Sequence, residues 1–141
     1  MRALAIDYGK VRIGLAITDI NKTIAYPYKT IKASESLEKS VDNVLKAIQE
    51  HISEIEIIII GLPLLLKGGM SEMTIEVKEF AKVLQTKIKI PVQFIDERLS
   101  SVMAQRHLKE NLKLNRKKRS KIIDTVSATL ILQNFINYVK F

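Results

Sequence analysis

Cysteine is absent from this 141-residue sequence. That excludes disulfide staples, thiolate metal sites and a cysteine nucleophile, and it fits a reducing compartment. Histidine occurs only twice, as His51 and His107, each isolated on a segment of helical pattern, so a zinc site is not expected. Aromatic residues make up 6% of the chain, which leaves a core built largely from Ile, Leu, Val and Ala. No apolar run approaches the roughly 18–20 residues of a membrane span; the longest is "IIIIGLPLLL". The run that begins at Ala3 is broken by Asp7, so no secretory signal is expected. No Gly-Lys-Ser/Thr follows a glycine at the spacing of a P-loop. Together these absences lead to the expectation of a cytoplasmic protein without membrane contact.

What is present begins with charge. The formal net charge is +8, and residues 106–121, "RHLKENLKLNRKKRSK", set a dense block of Lys and Arg against a single acid, Glu110. Such a block attracts polyanions by neutralising phosphates and releasing counterions. It also fits a solvated loop. Its place is directly before the last helical pattern of the chain.

"RALAID" (2–7) and "RIGLAITD" (12–19) are short apolar runs joined through Gly9, the pattern of a hairpin. "TIAYPYKTI" (23–31) adds a third strand, which Pro27 confines to an edge. "SLEKSVDNVLKAIQEHI" (36–52) repeats apolar residues at helical spacing. "EIIIIGLP" (56–63) reads as a strand apolar on both faces, hence central. A helix over 71–88, a buried strand over 90–96, a helix over 100–112 and a long apolar helix over 121–139 complete the order. The sum is one α/β domain over residues 1–141. Its three antiparallel strands and later strand–helix units give a mixed sheet with helices on its faces.

Most acids fall on polar helix faces. Asp7, Glu97 and Asp124 differ, because each stands where an apolar element begins or ends. If the first and last strands run parallel, Asp7 and Glu97 leave the sheet at the same edge. Asp124, in the first turn of its helix, is followed by Ser127 and Ala128, a small-residue stripe that lets the helix approach the sheet. Converging carboxylates repel, and a hard divalent cation such as Mg²⁺ or Mn²⁺ resolves the conflict. Singly, Asp7 also fits an Asx-turn, Asp124 a helix-dipole partner and Glu97 an ion pair with Arg98. Asp96 competes with Glu97, since neighbouring strand residues face opposite ways.

Other features have two readings each. Lys10 and Arg12 follow Asp7 at once, in reach of a substrate phosphate, while Arg12 also fits an ion pair with Asp7 or Glu97. Gly68-Gly69 fits either an ordinary turn or the approach to an anion-binding helix start. Tyr8 fits either a buried strand-end residue or a base-stacking one. Arg116, Lys117, Lys118 and Arg119 form a basic arm suited to a nucleic-acid backbone.

Four blocks, "AIDYGKVRIGLAITD", "IIIIGLPLLLKGG", "FIDERLSS" and "DTVSATLILQNFI", resemble in order and spacing the signature blocks of YqgF-type proteins. These bacterial nucleases are described both as Holliday junction resolvases and as nucleases of precursor 16S ribosomal RNA. The resemblance covers nearly the whole chain. It implies a ribonuclease H-like fold with a five-stranded mixed sheet and an Mg²⁺ or Mn²⁺ site of Asp7, Glu97 and Asp124, with Glu97 preferred over Asp96. It also matches Arg12 and Arg98 to the family's basic positions. Two departures are visible: Ala5 replaces a glycine many relatives carry, and the loop "LLLKGG" is more apolar than usual. The expected function is metal-dependent cleavage of structured RNA, namely 5′ processing of pre-16S rRNA. The alternatives are resolution of branched DNA and a non-catalytic nucleic-acid-binding module, with the chain a monomer or a homodimer. A nucleotide-phosphate enzyme of the actin and sugar-kinase type is disfavoured, because such enzymes pair two domains.

Overall fold

The computed structural model describes residues 1–65, 67–96 and 116–139, with side chains of the last helix described over 126–138. Strands β1 (Arg2–Asp7), β2 (Arg12–Thr18) and β3 (Ala25–Lys32) form an antiparallel meander. β4 (Ile55–Leu62) pairs with β1 in parallel, and β5 (Val92–Asp96) pairs in parallel with β4. The sheet order is β3-β2-β1-β4-β5. All three parallel strands therefore end at one edge, the carboxyl edge, marked by Asp7, Leu62 and Asp96.

The β1–β2 turn depends on Gly9. A Cβ there would lie 2.6 Å from the Arg12 carbonyl oxygen, so the chain reverses at this point only without a side chain. Asp19 closes the next turn. Its carboxylate accepts from the Thr23 and Ile24 amides and the Thr23 hydroxyl, which holds its pKa down near about 2.

The pleat sorts side chains onto two faces. Leu4, Ile6, Ile13, Leu15, Ile58 and Ile60 point to one face and pack under α1 (Leu37–Ala47) and α2 (Glu72–Lys87) through Val41, Val44, Val77, Phe80 and Leu84. Ser36 caps α1, and Ser71 with Thr74 forms a capping box on α2. Ala3, Ala5, Ala16, Ala25 and Ile59 point to the other face. There they meet Ala128, Ile131, Leu132, Phe135 and Ile136 of α3 (Arg116–Val139). Ser127 and Ala128 are both buried, as a helix lying close to the sheet requires.

The order of the described elements is the expected one, with local corrections. β5 is an edge strand with Gln93, Phe94 and Asp96 exposed, rather than a buried one. Its apolar letters suggested burial, but α3 packs across β1–β3 and only lightly on β4, away from it. The first helix ends at Ala47 and continues as a 3₁₀ segment, Gln49–Glu54, which carries His51. The last helix is described from Arg116, so Arg116, Lys117, Lys118 and Arg119 are helical instead of forming a loop. Lys and Arg are good helix formers and extend the apolar helix that follows. Asp124 consequently stands more than two turns into α3, beyond the first turn where the helix dipole acts. The helix expected over 100–112 lies outside the described residues. Among the described residues, no helix is long and apolar enough to cross a membrane.

Candidate active site at the carboxyl edge

Asp7 ends the central strand. Its neighbours on the α3 face are Ala3 and Ala5, while Leu4, Ile6 and Tyr8 lie on the other, so alternation puts Asp7 on the α3 face. It is half-buried and sits opposite Gly14 in the register, which adds no side chain to that face. Arg12, two residues before Gly14, falls on the same face at the same edge and is also half-buried. Lys10 is exposed in the turn between them.

The height of α3 follows from a row of contacts across the opposite edge. The Ala3 amide donates to Thr18 Oγ1 at 2.9 Å, Thr18 pairs with Ala25, and the Ala25 amide donates to Gln133 Oε1 at 3.0 Å. From that row Asp7 is four residues along β1, roughly 13 Å. Asp124 is nine residues back along α3 from Gln133, again roughly 13 Å. Asp124 also falls on the row of α3 that continues through Ala128, Ile131 and Phe135, the buried row.

The register also separates Asp96 from Asp7. Ile95 packs into the cluster beneath α3, whereas Val92 packs on the α2 side. Phe94 and Asp96 share the face of Val92. Asp96 therefore belongs to the face opposite Asp7. Glu97 and Arg98 lie outside the described residues. So do the side chains of Asp124, Arg116, Lys117, Lys118 and Arg119. No group of three or more His, Asp or Glu side chains that could hold a metal forms among the described residues.

Tyr8 turns away from this edge. It is buried, with its ring 4.7 Å from that of Phe80 and tilted 41° to it. The hydroxyl donates to Glu76 of α2, and burial first, then the Glu76 charge and that hydrogen bond, pushes its pKa up to about 12. The base-stacking reading of Tyr8 thus gives way to a core residue. Glu76 Oε2 is buried with no hydrogen-bond partner. The sequence held a signal for this pairing: position 76 sits between Met73 and Phe80 on the apolar side of α2. Gly68 and Gly69 are turn residues, with φ of 73° and 151° in a tight loop where Leu64 bridges Met70.

The fold is ribonuclease H-like. The structure resembles Thermus thermophilus RuvC with a TM-score of 0.56 at 14% identity, covering 99% of this chain and 97% of that one. It also resembles T. thermophilus RuvC in complex with a Holliday junction substrate (TM-score 0.54, 17% identity, 98% and 95% covered). The chain belongs to the RuvX family, described as Holliday junction resolvase, which it matches over residues 1–138. Its relatives include proteins named "Putative pre-16S rRNA nuclease". The one from Protochlamydia amoebophila is 44% identical over 140 residues, covering 96% of this chain and 93% of that protein. The one from Caldanaerobacter subterraneus subsp. tengcongensis is 37% identical over 142 residues, covering 99% of each.

Proposed function

We propose that residues 1–141 form one nuclease domain that hydrolyses phosphodiester bonds in structured RNA, trimming the 5′ end of precursor 16S rRNA. The observation that carries this reading is Asp7 at the carboxyl end of the central strand, on the sheet face that α3 covers. Family membership and the names of the relatives supply the substrate class. The donor set is all oxygen, which fits Mg²⁺ or Mn²⁺. Asp7, Glu97 and Asp124 are the residues that would hold it. When bound, such an ion makes water a stronger nucleophile and stabilises the departing oxygen.

The chain's own residues do the positioning. Arg12 offers a planar fork of donors to a phosphate at the edge beside Asp7. Lys10, Arg98 and the cations Arg116, Lys117, Lys118 and Arg119 hold backbone phosphates without reading bases. The enzyme works in the cytoplasm, where the precursor RNA is made.

The test is cleavage of a precursor 16S leader and of a four-way DNA junction, each with Mg²⁺ or Mn²⁺. The Asp7→Asn protein should lose cleavage to background while keeping salt-sensitive binding. Undiminished cleavage by Asp7→Asn would overturn the assignment. The family's description makes junction DNA the second reading, and preferential cutting of the junction, by a dimer in solution, would establish it. If calorimetry finds no Mg²⁺ or Mn²⁺ binding, with or without RNA, the chain is a non-catalytic binding module.

A further inference from the structure

A groove of about 590 Å³ lies between α2 and the exposed edge strand β5, on the face away from α3. Leu62, Ala81, Val92 and Phe94 form its floor, and Lys78 and Lys82 stand on its rim. Phe94 is 37% exposed. Gln85 closes the foot of the groove. Its side chain donates to the Ile90 carbonyl at 2.9 Å and accepts from the Val92 amide at 3.2 Å, pinning the start of β5. We infer that this groove is a track for an unpaired nucleic-acid strand, with Phe94 stacking on a base and Lys78 and Lys82 holding phosphates. The inference rests on the nuclease reading for the kind of strand, and goes beyond it in naming where that strand runs.

Three observations select this occupant. The first is charge: no carboxylate lines the groove, and neither lysine forms an ion pair among the described residues. Like charges one helical turn apart are mildly destabilising by themselves, so an anion between them relieves a real repulsion. The second is the combination of an exposed aromatic face with flanking cations. That combination binds single strands with little regard to sequence, because every base has a π-face. The third is continuity. The groove opens at Leu62, the last residue of β4, on the carboxyl edge that Asp7 also occupies. β5 is the outermost strand of the sheet, so the groove lies along its open side.

The chain has no tryptophan, which makes a clean probe available. In the Phe94→Trp protein the introduced indole is the sole one. Titration with an end-labelled single-stranded RNA of about 12 nucleotides, a length in the range of single-strand binding sites, should quench its emission in step with binding followed by anisotropy. An abasic strand of equal length should bind without quenching. Phe94→Ala should weaken RNA binding about tenfold. Lys78→Glu with Lys82→Glu should weaken it further and flatten the salt dependence by a slope of about 1.4, two phosphates' worth for a single strand.

Saturation of binding without quenching, or equal quenching by the abasic strand, overturns the proposal. So does displacement of the probe signal only by an acidic leucine-bearing peptide, which would make the groove a protein-docking surface. Running the titration in an Asp7→Asn background separates this proposal from the nuclease reading. Quenching there, with no cleavage by wild type, leaves the track standing alone. Cleavage by wild type without quenching removes only the track.

Discussion

The two faces of the sheet are built from different side chains. Beneath α1 and α2 the strands present Leu4, Ile6, Ile13, Leu15, Ile58 and Ile60, and the helices answer with Phe80 and Leu84. Beneath α3 they present Ala3, Ala5, Ala16 and Ala25. Bulky interdigitating side chains bury the most apolar area, so the first face carries most of the stability. Alanines bury little, but they let a helix lie close against the strands. The second face therefore sets a distance, and Asp7 stands at the end of β1 on that face. One face holds the fold together, and the other positions the proposed site.

The comparison breaks most severely at Phe80, which is fully buried on the stabilising face. Phe80→Ala should cost about 3–5 kcal/mol through lost burial and the cavity left behind, measured by urea unfolding. Its cleavage rate per folded molecule should stay close to wild type at a temperature where the variant is folded. The opposite dissociation belongs to Ala5, which is fully buried against α3. Ala5→Leu should cost less, about 1–3 kcal/mol of overpacking, yet lower cleavage by about a hundredfold, because a misplacement near 1 Å is that costly to catalysis. If Ala5→Leu and Phe80→Ala lose activity only in proportion to stability, the division between the faces is wrong.

The sequence made one side of this division legible. Alternation in "RALAID" and "RIGLAIT" already separates Leu4 and Ile6 from Ala3 and Ala5, and helical spacing identifies Phe80 and Leu84 as core. The stripe after Asp124 was equally readable, because Ser127 and Ala128 are small wherever the helix docks. What sequence could not supply was register. The face of Asp96 is open until the packing of Val92 and Ile95 on opposite sides shows it. Edge position was hidden for the same reason. The apolar run 90–96 looks buried until the sheet order puts β5 outermost, and so the groove at Phe94 was invisible. The start of α3 was missed because a run of cations reads as solvated loop, although the same residues propagate a helix well. Glu76 was passed over because its partner, Tyr8, is far away in sequence.

That last pair gives the smallest predicted effect and the sharpest signature. Tyr8 directly follows Asp7 but points to the stabilising face, so its hydrogen bond to Glu76 ties the strand end to α2. Tyr8→Phe keeps the ring against Phe80 and removes only the hydroxyl, which should cost about 1 kcal/mol at pH 7. The alkaline limb should show more. An unfolded tyrosine loses its proton near pH 10, while the folded protein holds that of Tyr8 up to about 12. Tyr8 therefore contributes its full stability below pH 10, and that contribution is lost as pH rises from 10 towards 12. Lysines titrate in this range too, but they do so in both proteins and cancel in the difference. Urea midpoints measured from pH 7 to pH 11.5 should fall more steeply in wild type than in Tyr8→Phe, the two curves converging at the alkaline end. Parallel curves would mean that the hydroxyl is not held by Glu76.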